Sequence, residues 1–231
     1  SRSPELLGDA LMRNLKPIDD LRRVMARLRA ADGCPWDQKQ DHKSIRFNAV
    51  EEVYELVDAI EADDDADMLE ELGDLLLQVV FHAQMAEERG AFDFDRVAQG
   101  IVEKLIRRHP HVFGATKVKG VSGVWRQWEA IKEREKAGKK NERKSAFDGI
   151  PRHLPALMRA HELVKNARNK YLLPKGRKCR DKRKLGQEIF RLVQKAQANG
   201  WQAESLLRDE IKRLEKVLRK KEKARKGVSR V

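Results

Sequence analysis

Cysteine is nearly missing from this 231-residue chain: Cys34 and Cys179 stand 145 positions apart in dissimilar surroundings. Two isolated thiols cannot staple a small secreted fold, so reduced cysteines and a cytoplasmic address are expected. Cys34 reads as a small apolar residue. No apolar run is long enough to cross a bilayer, and Ser1-Arg2-Ser3-Pro4-Glu5 lacks the apolar core of a signal peptide. No Gly-x-x-x-x-Gly-Lys-Ser/Thr loop is present, which excludes a P-loop enzyme. Nothing alternates with period two for long, so strands are not expected.

Charge is abundant, at 38% of residues against 40% hydrophobic and 6% aromatic, which suits a charge-rich helical protein of one or two domains. The net +13 hides an asymmetry. Residues 1–115 hold 15 Lys and Arg against 24 Asp and Glu, whereas residues 116–231 hold 35 against 13. A basic half can meet nucleic acid or membrane phosphates, or be a solvated surface ending in a basic tail from Lys216 to Arg230. The sequence shows neither interleaved aromatics nor a known nucleic-acid-reading motif.

Apolar spacing predicts helices over Ile18–Ala30, Ser44–Ala62, Asp67–Arg89, Phe94–Arg108 and Trp125–Lys136. Cys34-Pro35-Trp36-Asp37 reads as a loop, and Asp63-Asp64-Asp65 as the turn of an antiparallel hairpin. The expected fold is all-α, an antiparallel helical bundle. The expected parts are an N-terminal tail over 1–15, a first domain over 16–144 that closes with a polar linker, a second over 145–218, and a basic tail over 219–231.

The hairpin carries an anomaly. Leu72, Leu75, Leu76, Leu77, Val79, Val80, Phe81, Ala83, Met85 and Ala86 surround almost the whole second helix, which predicts burial. One polar stripe, Glu71, Asp74, Gln78 and His82, interrupts them at spacings of three or four. Glu52 and Glu55 sit three apart on the partner helix. Carboxylates in an interior are protonated, paired with bases, or bound to a metal. Bases are scarce, since Arg46 and Arg89 lie at the far ends. Oxygen-only ligands favour a hard divalent ion such as Mg²⁺, with Mn²⁺ as a substitute. A ferritin-like Glu-x-x-His is absent, so His82 reads as a hydrogen-bonded core residue.

A metal held by carboxylates suits a phosphate substrate. Lys104, Arg107 and Arg108 stack on one helical face and can grip phosphate, or simply complement the last turn of their helix. Trp36 and Trp128 can stack a base or serve as core. The second half holds a faded copy of the stripe: Lys184-Leu185-Gly186-Gln187 through Ala196-Gln197 tracks Glu71-Leu72-Gly73-Asp74 through Ala83-Gln84. Its acids have become Lys184 and Gln187, so the scaffold persists without the carboxylates.

Together, Cys34-Pro35-Trp36-Asp37, Glu51-Glu52-x-x-Glu55, Glu71-x-x-Asp74, the run from Leu72 to Gln84 and the run from Lys104 to Gly114 closely resemble the MazG family of nucleoside triphosphate pyrophosphohydrolases. The resemblance is dense from Asp19 to Lys136 and faint over Leu154–Ala160. It implies an all-α fold of the NTP pyrophosphatase type with the active unit built across a homodimer. It implies Mg²⁺-dependent hydrolysis of NTPs and dNTPs to a monophosphate and pyrophosphate. On this likeness Glu52, Glu55, Glu71 and Asp74 are metal ligands. Lys104, Arg107 and Arg108 hold phosphate, and Trp128 lies near the nucleotide. Asn48 to Glu51 and Asp67 to Glu70 flank the ligands where the family contacts substrate. Spacing makes Glu51 or Glu52 the candidate for positioning water. Two other readings remain: a non-catalytic helical dimer binding RNA or protein through the basic half, and an enzyme narrowed to one noncanonical nucleotide.

Overall fold

A computed structural model describes residues 16–136, 138, 145–176 and 179–228. The expected tail over 1–15, the linker over 139–144 and the last residues of the basic tail, 229–231, lie outside them. Every regular element among the described residues is an α-helix. The chain divides into two compact units, Ser1–Val118 and Lys119–Val231.

The first unit holds α1 (Pro17–Arg29), α2 (Pro35–Lys39), α3 (Asn48–Glu61), α4 (Asp65–Glu88), α5 (Phe94–Arg108) and α6 (Pro110–Phe113). The central helix is α4, against which α1, α3 and α5 pack. Met25, Ile45, Val80, Phe81 and Met85 form the core, backed by Ile18, Leu21, Leu28, Leu77 and Phe94. Arg29 fixes the far end of α4, its guanidinium clasping Glu88 with two 2.7 Å bonds.

Three sequence expectations change here. The Cys34–Asp37 segment is not a loop but the start of α2, because Pro35 at the first helical position needs no N–H partner and Asp37 follows in the first turn. The helix expected from Ser44 begins only at Asn48, since the Asp41 carboxylate accepts the Lys43 and Ser44 N–H groups, each at 2.7 Å, and holds a turn there. Most consequentially, α4 is buried only along its second half. Leu69, Leu72, Leu76 and Val79 are exposed among the described residues.

The second unit holds α7 (Gly120–Lys136), α8 (Ala156–Asn169), α9 (Lys182–Ala198) and α10 (Ala203–Val228). Contacts advance in the same sense along α8 and α10. The Ala156 N–H donates to Glu204, Arg159 pairs with Glu215, and Arg225 donates to the Tyr171 carbonyl, so the two helices run parallel. Phe147, Leu163, Ile211 and Leu218 lead their shared core. Buried Glu222 accepts from Ser145 Oγ at 2.5 Å and from the Ala146 N–H at 3.0 Å, closing the loop before α8. Helix α9 connects them in sequence and packs against α10. Helix α10 runs without a break through most of the segment expected as a basic tail.

Candidate metal centre

The hairpin of α3 and α4 is set locally. Helix α3 stops at Ala62, and Asp63 takes a left-handed φ of 54° that reverses the chain. Asp64 then caps α4, accepting the Ala66 and Asp67 N–H groups at 2.9 and 3.1 Å. From this turn the helices run back alongside one another. The i,i+3 pair Glu52 and Glu55 therefore faces Glu71 across the hairpin.

One carboxylate oxygen from each of Glu52, Glu55 and Glu71 falls within 4.8 Å of the others. Asp74 stands beside this trio, close enough that its charge raises the pKa of both Glu52 and Glu71. For both groups partial burial is the larger cause, and the neighbouring acids add to it. Glu71 Oε2 is shielded from solvent with no hydrogen-bond partner. Among the described residues none of these four carboxylates makes an ion pair. The one polar contact on the group comes from Gln78, whose buried side-chain amide donates to Glu52 Oε1 at 3.3 Å.

Of the fates open to clustered acids, pairing with bases is not seen among the described residues, and Glu55 is exposed while Glu52 and Glu71 are half-buried. The donor set, all carboxylate oxygen with one oxygen left unpartnered, fits a hard divalent cation. It does not specify which ion.

The remaining predicted residues are distributed as follows. Glu51 is exposed on α3 beside Glu52. Asn48 is half-buried in the first turn of α3, while Asp67 and Glu70 are exposed near the start of α4. Lys104, Arg107 and Arg108 share one face in the last two turns of α5, the helix that packs on α4. Trp36 is exposed on α2. Trp128 belongs to α7 in the second unit, where it meets Trp125 edge-on, ring centres 5.8 Å apart, and carries the Lys132 ammonium over its face.

Sequence reasoning missed two contacts. Gln78 was visible in the polar stripe, but its spacing gave no sign that it reaches Glu52. His82 is hydrogen-bonded as expected, but its partner is unexpected: His42, from the turn before α3. Their Nδ1 atoms lie 2.8 Å apart and the rings are parallel within 3°. His42 Nε2 is buried without a partner, and burial followed by the neighbouring ring lowers the His82 pKa.

With this geometry in place, known proteins give a consistent picture. A family model for the MazG nucleotide pyrophosphohydrolase domain matches residues 40–113, which span the acidic hairpin and the α5 cations. A nucleoside triphosphate pyrophosphohydrolase of Escherichia coli K12 is 49% identical over 156 residues, or 67% of this chain and 59% of that protein. The MazG nucleoside triphosphate pyrophosphohydrolase/pyrophosphatase of Thermotoga maritima is 48% identical over 150 residues, 65% of this chain and 56% of its own. The chain thus spans a little over half the length of each. An uncharacterised 26.1 kDa protein of Streptomyces cacaoi is 41% identical over 191 residues, 82% of this chain and 76% of that one. Among solved structures, a mazG-related protein from Thermotoga maritima aligns over 49% of this chain and 97% of its own, with 25% identity and a TM-score of 0.43.

Proposed function

This chain belongs to the MazG nucleotide pyrophosphohydrolase family, and from that premise we propose that its first unit hydrolyses nucleoside triphosphates to a monophosphate and pyrophosphate in a Mg²⁺-dependent reaction. The observation that carries this is the convergence of Glu52, Glu55 and Glu71 within 4.8 Å with no base among them. Glu52, Glu55, Glu71 and Asp74 would hold Mg²⁺, with Mn²⁺ as a substitute. When bound, the ion would supply positive charge and Lewis acidity to the triphosphate.

The chain's own groups do the rest. Gln78 holds Glu52 in place, so that ligand is oriented before substrate arrives. Glu51, exposed one position away, orients the attacking water. The water's oxygen bonds to phosphorus as its proton passes to the Glu51 carboxylate and the α–β bridge breaks, and pyrophosphate leaves with the electron pair. Lys104, Arg107 and Arg108 offset the charge that develops on the leaving oxygens, the arginines by paired N–H bonds and the lysine as a point charge. Asn48, Asp67 and Glu70 line the approach, and Trp36 contributes an apolar face to the nucleotide.

Two further parts belong to this reading. The exposed apolar stripe of α4 is covered by a second copy, so the working unit is a homodimer. The second unit, with Lys184 and Gln187 where the first has Glu71 and Asp74, does not hydrolyse nucleotides. Among the described residues no helix is long and apolar enough to cross a membrane. The cytoplasm, where nucleoside triphosphates are abundant and Cys34 and Cys179 stay reduced, is the compartment this reading implies. Pyrophosphate release from ATP, dUTP and a deaminated nucleotide, with and without Mg²⁺, tests it. Turnover in chelator, or none with any of the three in Mg²⁺, would overturn it.

A further inference from the structure

The second unit keeps the frame of α4 and reverses its chemistry. At a constant offset of 113 positions, Leu72, Gly73, Ala83 and Gln84 recur as Leu185, Gly186, Ala196 and Gln197 in α9. The polar stripe recurs with its sign changed: Glu71 becomes Lys184, Asp74 becomes Gln187, Gln78 becomes Arg191 and His82 becomes Lys195. Spacings of three and four hold Lys184, Gln187, Arg191 and Lys195 on one face of α9, as they do the acids of α4.

Charge in the second unit is not evenly neutralised. On α8 and α10 several of the bases are paired, Lys165 with Glu162, Arg208 with Glu204, Lys212 with Asp209, Arg213 with Glu210 and Arg219 with Glu215. Among the described residues, Lys182, Arg183, Lys184, Arg191 and Lys195 make no ion pair. Glu188 is the one acid within α9, and residues 165–184 carry ten Lys and Arg against Asp181 alone. An ordinary solvated surface interleaves both signs, as the first half of α10 does, whereas α9 carries five bases against one acid.

Aromatic surface accompanies the charge. Phe190 stands where the first unit has Leu77, which packs against its core, yet Phe190 is 62% exposed. Together with Gly186, Gln187, Arg191 and Gln194 it lines a shallow hollow of about 500 Å³. Beyond its chain neighbours and the adjacent helix backbone, no atom of the described residues lies within 4 Å of where a Gly186 side chain would begin, so a ligand can approach there. At the end of the same helix, past the left-handed Gly200, Trp201 is 57% exposed. Exposed rings beside unpaired cations are the combination that holds unstacked bases and their backbone, through stacking and charge together.

We propose that α9 is a binding surface for single-stranded nucleic acid, with Lys182, Arg183, Lys184, Arg191 and Lys195 tracking phosphates and Phe190 and Trp201 stacking bases. Duplex DNA fits less well, because its bases are already stacked and only the cations would engage. Anionic lipid would use the cations without requiring the rings.

The test uses the full chain and a fluorescein-labelled 20-nucleotide oligouridine, read by anisotropy from 50 to 300 mM KCl. Micromolar or tighter binding at 50 mM is expected, with log K falling against log salt at a slope of about −2 to −3.5, the range for three to five neutralised phosphates on a single strand. The Lys184→Glu/Arg191→Glu/Lys195→Glu variant should lose at least 30-fold in affinity. Phe190→Ala should lose about 5- to 10-fold with an unchanged salt slope, since stacking carries no counterions. Circular dichroism and pyrophosphate release monitor the fold of both variants, which change only exposed side chains remote in sequence from the acidic hairpin. Three outcomes would overturn the proposal: no binding at 50 mM KCl, equal affinity for duplex or for phosphatidylserine vesicles, or indifference to both variants. The last result with a concentration-dependent mass would assign the face to a second copy instead.

Discussion

The buried amide of Gln78 donates to Glu52 Oε1 at 3.3 Å, one helical turn beyond Asp74. It is the polar link between the packed half of α4 and the carboxylates near its start. A donor to the charged form opposes the burial and like charge that otherwise push Glu52 toward protonation.

Replacing Gln78 with Leu should therefore weaken metal binding and leave the fold intact. The Gln78 Oε1 atom has no partner of its own, so a leucine of similar volume removes an unsatisfied buried oxygen along with the useful N–H. The Mg²⁺ concentration for half-maximal activity should rise about 10-fold, the usual scale for losing a group that orients a ligand. Tm in chelator should not fall. A lower Tm with unchanged Mg²⁺ dependence would make Gln78 merely structural.

Glu71→Gln separates the metal role from the structural one in the opposite direction. The carboxylate is crowded by Glu52, Glu55, Glu70 and Asp74, and part-burial raises its pKa further. The neutral amide relieves that repulsion, so the variant should melt at a higher temperature than wild type in chelator. Added Mg²⁺ should raise the wild-type Tm more than that of the variant, and the variant's pyrophosphate release should fall to background. A variant that melts lower in chelator contradicts the crowding; full turnover removes Glu71 from the site.

The same crowding fixes a sign for pH. Glu52 and Glu71 have folded-state pKa values raised above the ordinary 4.5, so the folded state binds their protons more tightly than the unfolded chain does. Metal-free protein consequently gains stability from these groups as pH falls from neutral through the raised values toward 4.5. Glu88, whose pKa the Arg29 clasp lowers, works the other way and withdraws stability as pH falls below its ordinary value. Comparing wild type with Glu71→Gln isolates the first effect: the variant's Tm advantage in chelator should shrink between pH 7 and pH 4.5. Protons and Mg²⁺ compete for the same oxygens, so the stabilisation by Mg²⁺ should shrink over that window too.

How much of this was legible beforehand follows from the range of each signal. Periodicity is local, so α5 was placed to the residue and the α3–α4 hairpin, its acidic turn and its acid pairs followed from spacing, whereas the Asp64 cap, which starts α4 at Asp65 instead of Asp67, was not foreseen. Contacts that join distant positions left no such trace. His42 and His82 are 40 residues apart, and nothing in either neighbourhood names the other. The apolar ring of α4 was read as burial because a sequence does not show whether the covering surface lies in the same chain. Helix α7 starts at Gly120, five residues before Trp125, through Val121-Ser122-Gly123-Val124, a stretch whose glycines argue against a helix.

His42 and His82 predict a second pH effect, of the opposite sign to that of the acids. A 2.8 Å Nδ1–Nδ1 contact needs one neutral ring, because two imidazolium groups would present N–H to N–H. With the folded-state His82 pKa lowered from 6.5, its contribution to stability is complete above 6.5 and is lost as pH falls through the lowered value. His82→Phe keeps a ring but strands His42 Nδ1 beside the already unpartnered Nε2, which should cost about 1–3 kcal/mol. Hydrogen exchange should quicken at residues 41–47, the turn that leads into Asn48. An unchanged melting curve would show that the contact contributes nothing.

The exposed stripe on α4 leads to the last prediction. Leu69, Leu72, Leu76 and Val79 face outward at helical spacing, and Val53, Val57 and Ile60 of α3 are exposed as well. A contiguous apolar face on two packed helices is more than a lone soluble chain ordinarily leaves open, and it lies on the hairpin that carries the carboxylates. Light scattering at micromolar concentration should therefore report about twice the 26.7 kDa of one chain. Leu76→Arg should return the protein to monomer, because an unpaired guanidinium cannot be desolvated in an apolar interface. Activity should fall with assembly, since Leu76 lies between Asp74 and Gln78 and the face it serves borders the site. A fully active Leu76→Arg monomer would show that the hairpin works alone and that its apolar face meets something else.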